Sequence, residues 1–100
     1  DYTIDIHIHE PVVELFDTYD VCKIDITAKD NLGNLKPYAF DVISIETNDV
    51  LEIIGDSLVS LIGGKRAIWV RTNKVGVGWV KIKHPKRTFE AQIVVKQGSN

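Results

Sequence analysis

The sequence predicts an all-β domain in which two antiparallel sheets of about seven to nine short strands pack face to face. Short apolar runs rich in Val and Ile recur about every 8 to 12 residues, separated by Gly, Pro, Asn and Asp. Several of these runs alternate apolar and polar residues with the period of two of a half-buried strand. No segment has a convincing helical period. Together these observations predict an immunoglobulin-like β-sandwich, with a closed barrel as the less favoured alternative.

Two runs carry the clearest alternation and define the core-facing side of their strands. In residues 21–28 the apolar face consists of Cys22, Ile24, Ile26 and Ala28. In residues 88–96 it consists of Phe89, Ala91, Ile93 and Val95. Both runs are predicted to be strands with one face covered by the opposite sheet.

The other strands are predicted in chain order from the same signals. Ile4, Ile6 and Ile8 alternate with polar residues in an N-terminal edge strand, and residues 12–16 are expected to continue it after a kink at Pro11. Further strands are expected at residues 40–47, 51–54, 58–62, 66–72 and 76–84. In residues 40–47 we expect the side chains of Ile43 and Ile45 to face inward.

Length and composition indicate one domain spanning residues 1–100. The chain is 44% hydrophobic and 26% charged, with a net charge of −2, which gives no electrostatic reason to expect a nucleic-acid or membrane partner. We interpret the basic cluster Lys81, Lys83, Lys86 and Arg87 as a solvated strand face and turn. The absence of methionine, even at position 1, suggests a piece excised from a longer protein.

Metal and cofactor chemistry find little support in the sequence. His7, His9 and Glu10 lie close together on the first strand, but a zinc site needs three or four converging ligands, and only the distant His84 could add one. The single cysteine, Cys22, cannot form an internal disulfide and reads as a small buried hydrophobe. We therefore expect neither a metal nor a cofactor.

Catalysis by this chain alone is also unexpected. Acid–base chemistry needs a cleft, and a small sandwich with short turns offers little concavity. Asp41 and Glu46 are five residues apart on one strand and so face opposite sides. Residues 63–64 and 76–78 are glycine-containing turns or close approaches between strands, and neither precedes a helix that could bind phosphate.

Three aromatic residues are the candidate contact sites. Trp69 and Trp79 are out of phase with the apolar residues beside them, so each is expected on an outer sheet face, together with Tyr38 in a loop. Such residues contact a neighbouring domain or stack on sugar, and the first role is favoured. The alternative is that the phase is reversed, most of all at Trp69, which would then lie in the core.

From Tyr19 to Val95 the chain resembles a known family. The segments that carry the resemblance are Y-D-V-C-K-I at residues 19–24, A-K-D-N-L-G-N-L-K-P-Y-A at residues 28–39, and L-E-I-I-G-D-S-L-V-S-L-I-G-G-K-R-A-I-W-V-R-T at residues 51–72. They resemble the immunoglobulin-like domain that lies C-terminal to the catalytic barrel in bacterial glycoside hydrolase family 2 enzymes, chiefly β-galactosidases.

The resemblance implies a non-catalytic accessory module that packs against other domains of the parent chain. The family's two catalytic glutamates lie in the barrel, and no position here matches their motif, so no catalytic residue is carried over. An adhesin-type immunoglobulin-like repeat and a carbohydrate-binding module are the alternatives.

Overall fold

The computed structural model describes residues 3–16, 20–85 and 87–98, and these residues form nine β-strands and no helix. In chain order the strands are β1 (Thr3–Ile8), β2 (Val12–Leu15), β3 (Asp20–Lys29), β4 (Val42–Thr47), β5 (Glu52–Ile54), β6 (Leu58–Ser60), β7 (Lys65–Thr72), β8 (Gly76–Lys83) and β9 (Thr88–Gln97). The predicted all-β class is confirmed, and every predicted strand is present within two residues of its expected ends.

The strands form the two layers of an immunoglobulin-like sandwich. The first sheet has four strands in the order β1-β3-β7-β5, and the second has five in the order β2-β9-β8-β4-β6. All neighbouring strands are antiparallel except β2 and β9, which are parallel.

The core lies between the sheets and consists of the inward-facing side chains of both. Ile24 and Ile26 on β3, Ile43 on β4 and Ile93 on β9 have no exposed surface. Phe89 at the start of β9 is partly buried and packs against this cluster. The predicted phases of β3, β4 and β9 are therefore confirmed.

The expectation that residues 12–16 continue the first strand is wrong, because β2 belongs to the opposite sheet. The His9 N–H donates to the carbonyl of Lys23 in the first sheet, whereas the carbonyl of Pro11 accepts from Val94 in the second. Even-numbered residues face the core before Pro11, and odd-numbered ones, Val13 among them, face it afterwards. One regular strand cannot bury both sets, so the chain crosses between sheets at this point.

Gly64 holds the backbone in place immediately before β7 through two hydrogen bonds. Its N–H donates to the carbonyl of Ala39 at 2.9 Å, and its carbonyl accepts from the N–H of Ala28 at 2.7 Å. Its φ of +82° is one that glycine adopts readily, and a side chain there would collide with the carbonyl of Lys36. These constraints set the start of the strand that carries Trp69.

Candidate functional site

Trp69 lies on the outer face of the first sheet, as the phase of its strand predicts. Its neighbours along β7, Ile68 and Val70, are buried, whereas 44% of Trp69 is exposed. The strand register places Lys23 of β3 directly opposite, and its Nζ lies 5.9 Å from the centroid of the indole ring. The reversed phase is thereby excluded. The ammonium of Lys23 therefore makes a cation–π contact with the indole, which remains accessible to solvent.

A depression of about 580 Å³ opens beside this indole. Ala67 pairs with Asp25 and lies two residues before Trp69 on the same face of the sheet. Because its side chain is smaller than those around it, the surface is recessed at this position. The short β5 pairs with β7 only between Arg71 and Trp69 and leaves this side of Ala67 uncovered. The lining residues are Asp25, Ile26, Thr27, Ile62, Lys65, Arg66, Ala67 and Trp69.

A hydrogen bond to a histidine holds the carboxylate of Asp25 at the edge of the depression. Nε2 of His9 lies 2.6 Å from Oδ2 of Asp25, and the His7 ring contacts the His9 ring edge-on with centroids 4.9 Å apart. The hydrogen bond from His9, and to a smaller extent the charge of Lys23, lowers the pKa of Asp25 below 3.8. Asp25 is therefore an ionised acceptor at neutral pH, and one of its oxygens is bonded to His9.

Trp79 lies on the outer face of the second sheet, again as its strand phase predicts. Val80 and Ile82 on the same strand are buried, and Trp79 is partly exposed. Nζ of Lys81 lies 4.5 Å from the centroid of the Trp79 ring, so the aliphatic stem and ammonium of this lysine partly cover the indole.

An apolar row lies next to Trp79 on the same outer face, and we call it the valine row. It consists of Val12 on β2, Val94 on β9 and Val77 on β8. Val12 pairs with Val94, which pairs with Val77. All three are exposed, although residues of this type are usually buried. Three adjacent strands therefore present a continuous apolar strip to solvent.

The structure does not bring the three candidate aromatic residues together. Trp69 and Trp79 lie on the outer faces of different sheets and so on opposite sides of the sandwich. Tyr38, in the connection between β3 and β4, is 90% exposed. The three residues cannot act as one site.

Two of the three histidines considered as metal ligands, His9 and His84, contact carboxylates at separate places. Nε2 of His84 lies 2.7 Å from Oδ2 of Asp41, and His9 contacts Asp25. Within the described ranges, no group of three or more His, Cys, Asp or Glu side chains is arranged to hold a metal ion.

The described members of the basic cluster each have a contact of their own. Nζ of Lys83 pairs with Oε2 of Glu46 at 3.0 Å, and Lys81 lies over the ring of Trp79. The guanidinium of Arg87 lies 4.9 Å from the ring centroid of Phe89. Lys86 lies outside the described residues.

A second depression, of about 540 Å³, lies between the turn after β4 and the turn after β7. Its charged side chains pair with one another: Nε of Arg71 with the carboxylate of Glu52, and Nζ of Lys74 with Asp49 at 3.3 Å. The hydroxyl of Thr72 donates to the carbonyl of Val50 at 2.7 Å. These contacts stabilise the two turns.

Two features were missed by sequence reasoning. The depression depends on which residue of β3 lies opposite Ala67, and strand register between distant segments cannot be read from one sequence. The valine row depends on β2 pairing with β9. Its only signal in the sequence is the change of apolar phase across Pro11.

The architecture defines the class of protein: an immunoglobulin-like β-sandwich domain whose notable surface features are aromatic and apolar patches. Neither a protein-family model nor a curated protein matches the sequence. Over the described residues, no helix has the length and apolar character needed to cross a bilayer.

Solved structures with this fold include stretches of glycoside hydrolase chains. A glycosyl hydrolase family 2 member from Bacteroides cellulosilyticus matches 94% of this chain with a TM-score of 0.87 and 16% identity. A β-glycosidase from Bacteroides vulgatus matches 94% with a TM-score of 0.83 and 17% identity. The β-glucuronidase of Parabacteroides merdae matches 91% with a TM-score of 0.73 and 14% identity.

The matched part is a small fraction of each of these enzymes. This chain spans 14%, 14% and 12% of their respective lengths. At these identities the comparisons show a shared fold. They place that fold within chains several times longer than this one.

Proposed function

We propose that residues 1–100 form one accessory domain of a larger bacterial glycoside hydrolase of family 2, with β-galactosidase as the parent activity. The domain is non-catalytic and packs against neighbouring domains of the same parent chain. The observation that carries this proposal is the match of 94% of the chain, at a TM-score of 0.87, to a domain-sized stretch of a family 2 enzyme. The resemblance of residues 19–95 to the immunoglobulin-like domain of that family supports it independently.

The chemistry of the described surface fits an accessory role. Glycoside hydrolysis uses two carboxyl groups about 5–10 Å apart that flank the scissile bond. Of the two acids considered for catalysis, Asp41 bonds to His84 and Glu46 pairs with Lys83. Both acids lie in surface contacts with basic side chains, which is compatible with a structural role.

The valine row and Trp79 are the proposed contact with a neighbouring domain. Interface centres are depleted of charge and enriched in aromatic side chains, and the row supplies three exposed aliphatic side chains beside a partly exposed indole. A domain of the same parent chain is the proposed occupant, because the matched enzymes continue well beyond the shared fold.

The parent activity is tested by sequencing the gene on both sides of this segment and assaying the full-length protein that it encodes. We expect a barrel domain in the same reading frame, hydrolysis of nitrophenyl β-galactoside by the full chain, and no hydrolysis by this chain alone. Hydrolysis of nitrophenyl β-glucuronide in its place would correct the parent activity only. Tandem copies of this domain without a barrel, or hydrolysis by residues 1–100, would refute the proposal.

Substitution of Val94 by Lys tests the contact surface. In the isolated domain the exposed Val94→Lys change should alter the melting temperature little. In the parent enzyme it should lower the melting temperature of this domain, because a charge would be buried without a partner. The matched control is Thr3→Lys on the other sheet, which should have no effect in either context. Equal melting shifts for Val94→Lys in both contexts would contradict the contact.

A further inference from the structure

We propose that the depression beside Trp69 is a binding subsite for a neutral pyranose unit of an oligosaccharide. This inference goes beyond the accessory role, because it concerns the opposite sheet from the valine row and requires no parent activity. The subsite has an indole wall, the low floor of Ala67, and polar groups from Asp25, Thr27 and Lys65 around its edge.

The aromatic wall suits a sugar ring. A pyranose presents C–H groups on one side and hydroxyl groups at its edge, so it needs a flat apolar contact next to hydrogen-bonding groups. Trp69 provides the flat contact and is 44% exposed. Small-molecule sites commonly combine such an aromatic surface with a few placed polar groups, in volumes of about 300–1,000 Å³. The depression, at about 580 Å³, lies within that range.

The carboxylate of Asp25 is oriented to accept from a hydroxyl group. Its Oδ2 accepts from His9 at 2.6 Å, which restricts the rotation of the carboxylate. Its Oδ1 lies 4.0 Å from Nζ of Lys23, beyond hydrogen-bonding distance, and so keeps acceptor capacity. Hydrogen bonds from a neutral hydroxyl to an ionised carboxylate are stronger than those between neutral groups.

The rim carries charges of both signs, which suits a ligand rich in hydroxyl groups. A metal ion or an amine would meet the positive charges of Lys65 and Arg66, and the carboxylate of Asp25 partly offsets their attraction for an anion. A protein surface would have to desolvate these charges, which is costly at the centre of an interface. A sugar with hydroxyl groups can donate to the carboxylate and accept from the lysine without a net charge of its own.

Nuclear magnetic resonance titration of the 100-residue chain with lactose, cellohexaose and β-1,4-galactan oligomers tests the subsite. The chain has two tryptophans and therefore two indole N–H signals, which the Trp69→Ala variant assigns. We expect a saturable shift of the Trp69 signal with at least one of these neutral sugars, and a much smaller shift at Trp79.

Variants separate this subsite from non-specific binding. Trp69→Ala should weaken sugar association by about tenfold, and Asp25→Asn should also weaken it. Neither side chain is buried in the core, so both variants should preserve the fold. Phe40→Ala, which removes another exposed aromatic ring, should leave association unchanged. No saturable shift with any of the neutral sugars, or binding that survives Trp69→Ala, would overturn the proposal. Either result would leave the Val94→Lys test of the accessory role unaffected.

Discussion

Cys22 shows how burial changes the chemistry of one side chain. The thiol lies in the core, and its Sγ donates to the carbonyl of Glu10 at 3.7 Å. Burial, together with the negative charges of Glu10 and Asp20, raises the pKa of Cys22 to about 11. The thiolate is the reactive form of cysteine. Cys22 is therefore protected from reaction because it is inaccessible to solvent and because its thiol stays protonated.

We therefore expect Cys22 to resist alkylation in the folded protein. At pH 8, iodoacetamide should modify it at least about a hundredfold more slowly than an unperturbed thiol of pKa about 8.5. Mass spectrometry after timed quenching measures the rate, and the same reaction in concentrated urea provides the fully reactive control. Fast modification of the native chain would show that the thiol is accessible.

Gly78 occupies an inward-facing position of β8 where even one methyl group has no room. A Cβ built at this position would lie 2.5 Å from Cγ of Leu51, which is buried. The Gly78→Ala variant should lower the free energy of unfolding by about 1–3 kcal/mol through overpacking. Urea denaturation measures the change, with the outward-facing Val77→Thr as a control of small effect. Wild-type stability of Gly78→Ala would mean that Leu51 can move aside.

The hydrogen bond between His9 and Asp25 gives the fold a pH dependence in acid. Because the folded-state pKa of Asp25 is lowered below 3.8, its contribution to stability is present above that pH and is lost as the pH falls through the folded value. The effect is small, since the pair is exposed. In the Asp25→Asn variant, the urea concentration at the midpoint of unfolding should fall less steeply as the pH is lowered below about 4. An unchanged decline would show that other carboxylates account for it.

At the scale of single strands, the alternation of β3 and β9 determines where charge is tolerated. Ile26→Asp or Ile93→Asp places a carboxylate in a position without solvent access, and we expect either change to prevent folding. Gln92→Asp, one residue away on the exposed face of β9, should melt close to the wild type. Circular dichroism and thermal melting measure both. Near-wild-type melting of Ile93→Asp would refute the assigned phase.

The change of sheet between β1 and β2 has a wider consequence for the surface. Because β2 lies parallel to β9, Val12 is added to Val94 and Val77 on the outer face of the second sheet. Had residues 12–16 extended β1, the valine row would have been shorter by one strand. The proposed contact surface therefore depends on a crossing at Pro11.

The whole molecule is held together by the packing of two apolar faces. The core joins inward side chains of β1, β2, β3, β4, β7, β8 and β9 in one cluster. His9 and His84, two of the histidines considered as metal ligands, form hydrogen bonds with Asp25 and Asp41. Packing of this kind is sufficient for a domain of about 100 residues.

Removal of metal ions should therefore leave the stability unchanged. We expect the melting temperature in EDTA to equal that in calcium-saturated EDTA, within the error of differential scanning fluorimetry. A fall of several degrees in EDTA alone would reveal a structural metal ion, since a bound ion stabilises the state that binds it.

Most of the strands, and the side of each that faces the core, could be predicted from the sequence. The alternation of Ile24 and Ile26, or of Ile93 and Val95, is local information, because neighbouring side chains of a strand point to opposite faces. The same local rule placed Trp69 and Trp79 outside. It also indicated a break near Pro11, although the continuation of β1 was the wrong interpretation of that break.

Tertiary structure alone decided which outward-facing residues became neighbours. Asp25 lies opposite Ala67, and Val12 beside Val94, because of strand order and register. These depend on how the two sheets as a whole bury their apolar faces, and no short segment of sequence contains that information. The apolar pattern thus determined a sandwich with two exposed indoles. Only the pairing of distant strands gave one indole a polar depression and the other a row of valines.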